Sequence, residues 1–114
     1  MHELGTIYYV IDAVEKLVEE NDLKEVGSIT LQVGEVSGII PSYLTDFWLY
    51  ARAKTKYFQN TELKIEELKA VTYCTDCQKT YPTMQFGKQC PYCGSPNTYL
   101  VRGQEYIIKE IEAL

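Results

Sequence analysis

Two C-x-x-C pairs, Cys74-Thr-Asp-Cys77 and Cys90-Pro-Tyr-Cys93, stand twelve residues apart and account for all four cysteines of the chain. Two thiolates at that spacing can turn inward on one tight knuckle and approach a metal ion from the same side. A second knuckle then closes a tetrahedron. Gly94, directly after the second pair, suits such a knuckle because glycine adopts positive φ without steric cost. Four sulfurs fill the coordination sphere and leave no position for water, so these residues predict a structural zinc ribbon and not a catalytic centre. The same pairs are compatible with an iron site of rubredoxin type, or with redox dithiols and disulfides. Loading zinc would take the formal charge from −5 to −7, because four neutral thiols become thiolates and one dication is added.

Such a staple is useful at this size. A chain of 114 residues makes one domain, or one small domain with a smaller insertion. Bodies this small bury only about 60% of their unfolded surface. The first twenty residues carry Glu3, Asp12, Glu15, Glu19 and Glu20 without the apolar run of a secretory signal, and nothing approaches a membrane span. The expectation is a soluble cytoplasmic protein with no membrane partner, in whose reducing surroundings paired cysteines serve as metal ligands sooner than as disulfides.

The hydrophobic pattern divides the chain. Leu4, Ile7, Tyr8, Ile11, Val14, Leu17 and Val18 recur at helical spacing and predict a helix from about Gly5 to Asn21. SITLQVGEV changes to period two, with Ile29, Leu31 and Val33 alternating against Thr30 and Gln32 as in a half-buried strand. Pro41 opens a second helix along the stripe Leu44, Phe47, Trp48 and Ala51. ELKIEEL and YIIKEI supply two more strands, the buried face of the second being undetermined. Between them, Ala70 to Gly103 holds every cysteine, three of the four prolines and no helical period. The predicted fold is therefore a small α/β (α+β) body, a three-stranded sheet with two helices over residues 1–69 and 104–114, carrying an inserted zinc-ribbon module over 70–103. Charge follows the same division. Lys69, Lys79, Lys88 and Arg102 face Asp76 alone between Lys69 and Gly103, which leaves the remainder strongly acidic.

The amino terminus offers a second set of ligands. The only histidine, His2, follows the terminal amine of Met1 and precedes Glu3. With a pKa of about 7.7–8.0, the amine is partly neutral at physiological pH. The amine and the His2 amide nitrogen close a five-membered chelate ring on a metal, and the His2 Nδ1 closes a six-membered one. Peptide amides ionise for ions that reward strong in-plane nitrogens, as Ni(II) and Cu(II) do and zinc does not. Glu3 can add its backbone nitrogen or its carboxylate, and it equally suits the positive end of a helix dipole. A histidine at position 2 also has a plain reading, as a solvated tail residue. The chelate needs Met1 retained, and the bulk of His2 disfavours its removal.

In the insert, Tyr73, Tyr81, Phe86, Tyr92 and Tyr99 stand among basic residues. Aromatic side chains beside Lys and Arg can stack on bases, as in a nucleic-acid-binding zinc ribbon. The alternative is that a ribbon with little apolar core covers its metal with tyrosines, and the acidic net charge favours that. No enzymatic reading is supported: there is no spare histidine, no serine or cysteine in a nucleophile motif, and no phosphate loop.

MHEL at the start, VGEVSGIIP across the first strand and its exit, CPYCGSPN in the second knuckle and GQEYIIKEI near the end resemble, in that order, the HypA/HybF family of hydrogenase maturation nickel chaperones. The resemblance implies a non-enzymatic carrier that delivers Ni(II) to the apo large subunit of nickel-iron hydrogenase with a HypB-type GTPase, and in some bacteria serves urease with its accessory proteins. It implies nickel ligands at Met1, His2 and Glu3, and structural Zn(II) on Cys74, Cys77, Cys90 and Cys93. Glu35 and Gly38 match the family's G-E-x-S-G segment, in a structural or partner-facing role. Two departures stand out. Gln78 and Lys79 occupy positions where relatives often have glycine after the first knuckle, and no second histidine is present to serve as an auxiliary ligand.

Overall fold

A computed structural model describes residues 3–113, the Glu3 side chain excepted, and its elements run α1 (Glu3–Glu20), β1 (Val26–Gly34), α2 (Pro41–Arg52), β2 (Glu62–Leu68), β3 (Val71–Cys74), β4 (Thr80–Pro82), α3 (Thr83–Phe86), β5 (Thr98–Arg102) and β6 (Tyr106–Ala113). The predicted mixed α/β class is what forms, with two three-stranded sheets, ordered β2-β1-β6 and β4-β3-β5. The chain gathers into two compact units. The first takes the chain up to Gln32, Ile39–Glu66 and the chain from Ile107 on; the second takes Val33–Gly38 and Glu67–Tyr106. The second unit is thus wider than the expected insert of 70–103, because it includes the GEVSG segment and the strand ends that flank the cysteines.

In the first unit, α1 buries Ile7, Val10, Ile11, Val14 and Val18, while Tyr8 and Leu17 of the predicted stripe are exposed. The buried face is rotated toward Val10. The helix stops where Asp22 turns to φ 53 and the Leu23 N–H reaches the Val18 carbonyl, 3.0 Å away, closing the last turn. Pro41 opens α2 after the extended Ile40, and Leu44, Trp48 and Ala51 face inward as the stripe predicts. The buried Thr61 fixes the far end of α2: its carbonyl accepts Trp48 Nε1 at 2.9 Å and an Arg52 guanidinium nitrogen at 2.8 Å, and its hydroxyl donates to the Val26 carbonyl.

β1 departs from the half-buried strand expected. Ser28 and Thr30 are buried along with Ile29 and Leu31. The reason is its central position, since strands on both sides send long side chains over the face that alternation assigns to water. Ser28 donates to the Glu112 carboxylate and Gln32 to Glu66, and those carboxylates also pair with Lys64 and Lys109. On β2 the half-buried positions run Leu63, Ile65, Leu68, and on β6 Tyr106, Ile108, Ile111, so alternation slips by one residue in each. That slip is why the buried face of YIIKEI could not be read from period two. Among the described residues, no helix is long and apolar enough to cross a membrane.

In the second unit, β3 pairs antiparallel with both neighbours, Tyr73 lying opposite Thr80 on β4 and Tyr99 on β5, with an irregularity between Val71 and Thr72. The unit is short of hydrocarbon. Its buried cluster is Cys74, Tyr81 and Cys90, with Cys77 packed against it.

Candidate metal centre

The sequence places two knuckles, and the fold brings them together. The ligand sulfurs of Cys74, Cys77, Cys90 and Cys93 all lie within 4.8 Å of one another. Two separations cross between the knuckles, Cys74 to Cys93 at 3.6 Å and Cys77 to Cys90 at 3.5 Å. A tetrahedral ion with metal–sulfur bonds of about 2.3 Å sets its sulfurs about 3.8 Å apart, so the donor set fits a closed tetrathiolate centre. All four cysteines are free thiols, far from the bond length of a disulfide.

Each knuckle is built the same way from its own backbone. The Gln78 N–H donates to the Cys74 carbonyl at 2.9 Å and the Gly94 N–H to the Cys90 carbonyl at 2.8 Å; the Cys74 and Cys90 N–H groups donate to the Lys79 and Ser95 carbonyls. This loop requires positive φ four residues after its first cysteine. Gly94 meets it at φ 73, and Gln78 meets it at φ 60 despite its side chain. The glutamine-for-glycine departure therefore leaves the ligands in place, at a cost of about 1–2 kcal/mol for a side-chain-bearing residue in the left-handed region.

Cys77 and Cys90 do not ionise alike. Burial pushes the Cys77 thiol up to about 12, and hydrogen bonds with Cys90, Cys74 and Cys93 add to the effect. Burial also opposes ionisation of Cys90. The backbone N–H groups of Cys93 and Tyr92, together with the Cys77 thiol, outweigh it and bring Cys90 down to about 7. Cys90 thus offers a thiolate more readily than Cys77, helped by the Tyr92 N–H that donates to it at 3.4 Å.

A second layer ties the knuckles to each other. Asp76, between the first two cysteines, accepts hydrogen bonds from the Ser95 hydroxyl and the Asn97 side-chain amide. Those two bonds hold its carboxyl below the usual aspartate range. The Thr75 N–H and hydroxyl both reach the Asn97 carbonyl, at 3.0 and 2.9 Å. The sequence reading did not single out Asp76, Ser95 or Asn97 in this role. The Ser-Pro-Asn run after Gly94, typical of a hydrogen-bonded turn, was the available signal.

Of the aromatics in this unit, Tyr81 packs on the cysteine cluster with its hydroxyl on the Gly87 carbonyl at 2.9 Å, and Phe86 meets its ring edge-on. Tyr73 and Tyr99 pair across β3 and β5, with ring centroids 5.3 Å apart. Tyr92 lies under the Lys79 ammonium. At least Tyr81 covers sulfur, as the tyrosine-cover reading expects.

GEVSG acts structurally. Glu35 accepts the Ala70 N–H at 2.8 Å on one carboxylate oxygen and faces Lys69 with the other, while its own N–H reaches the Leu68 carbonyl. Gly34 and Val36 donate to the carbonyls of Glu105 and Gly103. A Cβ on Gly34 would fall 2.0 Å from the Gly103 carbonyl oxygen, so the approach admits no side chain. Gly38 takes φ +84, which explains its residue type. Glu35 also borders a groove of about 540 Å³ with Val71, Tyr81, Pro82 and Met84.

Of the predicted nickel ligands, Met1 and His2 lie outside the described residues, and Glu3 begins α1. The first amides of a helix have no intrahelical acceptor, so the Glu3 nitrogen is not committed to the helix.

Residues 1–113 match the family model described as "Hydrogenase/urease nickel incorporation, metallochaperone, hypA". The hydrogenase maturation factor HypA of Chlorobaculum parvum is 33% identical over 111 residues, 97% of each chain, and that of Geobacter metallireducens is 30% identical over 112 residues, 98% of each. The solution structure of the Ni metallochaperone HypA from Helicobacter pylori covers the whole chain at a TM-score of 0.73, with 23% identity and 98% of its own length matched. At that identity the likeness speaks for the fold.

Proposed function

The chain belongs to the HypA family of hydrogenase maturation metallochaperones, and from that premise we propose that it carries Ni(II) to the apo large subunit of a nickel-iron hydrogenase, in the cytoplasm, with a HypB-type GTPase as partner. The same cargo chemistry extends to urease and its accessory proteins. The observation that carries this reading is a family match that begins at residue 1 and so includes Met1, His2 and Glu3. The proposed nickel seat is the Met1 amine, the His2 amide and imidazole, and a donor from Glu3. The resident ion of the cysteine site is zinc, on Cys74, Cys77, Cys90 and Cys93. When bound, zinc supplies structural cross-linking and a closed coordination sphere, and the four sulfurs leave it no open position for chemistry.

A terminal chelate suits a carrier that must release its load, because an acceptor can displace the nitrogens one at a time. Proton competition adds a second route: protonation of the amine, the amide or the imidazole removes a ligand, so nickel affinity falls with pH. The test is equilibrium dialysis of Ni(II) against protein with its native start, against His2→Ala and against protein acetylated at the terminal amine. Both altered proteins should lose nickel while keeping zinc. Unchanged nickel retention by the acetylated chain, or an affinity that stays flat from pH 8 to 5.5, overturns the seat. A strong sulfur-to-nickel charge-transfer band would move the cargo to the cysteines.

A further inference from the structure

The four cysteines of the second unit are not equally protected. Cys74 and Cys90 are buried, Cys77 is half-buried, and Cys93 is exposed. Any small electrophile arriving from water therefore meets one cysteine first. The neighbour across the knuckles, Cys74 Sγ, stands 3.6 Å from Cys93 Sγ, within about 1.6 Å of disulfide bonding distance.

We propose that Cys93 is a modification site for hydroperoxides, and that its oxidation ends in a disulfide to Cys74 that joins the two knuckles. The Cys93 thiolate attacks the terminal peroxide oxygen and the O–O bond breaks, leaving a sulfenic acid and hydroxide from hydrogen peroxide, or an alkoxide from an organic hydroperoxide. The Cys74 thiolate then attacks the Cys93 sulfur and expels hydroxide. Two thiolates lose two electrons, and the peroxide gains them. The sulfurs so joined are no longer thiolate ligands, and two thiolates remain where the ion needs four, so zinc is released. The thiolate state of the two sulfurs and this release step rest on the zinc assignment above.

Three features select Cys74 as the resolving partner over Cys90. Cys90 has its own cross-knuckle neighbour in Cys77, at 3.5 Å, and its sulfur also accepts the Tyr92 N–H. Cys74 ends β3 opposite Thr98 of β5, the strand that follows the second knuckle. The segments around the new bond are already fastened by Thr75 on Asn97 and by Asp76 on Ser95 and Asn97. A Cys74–Cys93 bond thus joins segments that the fold holds together, and a dithiol reductant can restore the thiols.

The sequence makes the pairing easy to read. Trypsin cuts after Lys69, Lys79, Lys88 and Arg102, so residues 70–79 carry the first knuckle and residues 89–102 the second. Untagged full-length protein, its zinc content measured first, is treated with limiting hydrogen peroxide beside a chromogenic zinc chelator. It is then capped with N-ethylmaleimide, digested without reductant and analysed by mass spectrometry. The expected product links the two peptides through Cys74 and Cys93, with Cys77 and Cys90 capped, and one zinc ion appears per disulfide. In a parallel measurement on the zinc-loaded protein without peroxide, where all four sulfurs are thiolates and access decides, Cys93 should take up N-ethylmaleimide at least about tenfold faster than Cys74 or Cys90. A Cys90–Cys93 bond within one knuckle, sulfinic acid at Cys93 without a disulfide, or equal labelling of the four cysteines overturns the proposal. Absence of zinc in the starting material strikes the zinc assignment instead, and the disulfide map still decides this one.

Discussion

The two units of this chain are small for different reasons and are held by different means. The first closes over a hydrocarbon core in which Trp48, Phe58, Leu44, Leu31, Ile29 and a face of α1 are shut away from water. Around its knuckles the second has one buried tyrosine against two buried cysteines, and its three strands have from three to five residues each. Apolar burial contributes about 25 cal/mol per Å² and scales with what a unit can hide. In the proposed zinc site, four sulfurs on one ion would replace that area with a few strong bonds. Cohesion in the first unit is spread over many contacts, while cohesion in the second is concentrated at one point. That concentration predicts a second unit sensitive to chelators and oxidants, to which a hydrocarbon core offers no target.

The widest separation between the units should come from Cys74→Ser. Structural zinc supplies about 10–16 kcal/mol to small zinc-folded peptides, so losing one of four ligands should release the ion and disorder the second unit. The amide signals of α1 and α2 should keep their dispersion; their collapse together with the knuckles would mean that the two units fold as one. The converse change is Trp48→Ala, with an expected loss of about 3–5 kcal/mol from the first unit. It should lower the urea midpoint followed by circular dichroism while bound zinc stays stoichiometric.

Finer changes sharpen the comparison inside the second unit. Gln78→Gly removes the left-handed strain of the first knuckle but gives the unfolded chain more freedom, so the net gain should be at most about 1 kcal/mol. Slower transfer of zinc to a competing chelator would show it. The smallest expected effect concerns Asp76. Its carboxyl is held below the usual range by Ser95 and Asn97, so its contribution is complete above the unfolded value of about 3.9 and is lost as pH falls through the lower folded value. The difference in zinc-release rate between the native chain and Asp76→Ala should therefore stay constant from pH 7 to 5.

Much of the first unit was legible because its periods are long. The α1 pattern continues for several turns, so the predicted helix of Gly5 to Asn21 misses the observed bounds by only a residue or two at either end. The cysteine spacing likewise gave the four sulfurs that meet. What escaped depends on pairing between distant segments. The second face of β1 is covered by Glu66, Glu112, Lys64 and Lys109 from two other strands, so Ser28 and Thr30 read as solvent-facing until their neighbours are known. The one-residue slips on β2 and β6 break the alternation on which strand faces are assigned. The three short strands of the second unit carry too few residues to show any period. The role of Glu35 as acceptor for the Ala70 N–H joins positions 35 apart, beyond the reach of any local pattern.

Trp48 is the only tryptophan of the chain, and it is sealed in the first unit with its indole nitrogen on the Thr61 carbonyl. Nature has thereby supplied a fluorophore that belongs to one unit alone. Selective excitation of its indole reports the wetting of the hydrocarbon core and is blind to events among the tyrosines around the sulfurs. Emission and metal content, recorded on one unmodified sample, would follow the two units as separate optical and chemical channels.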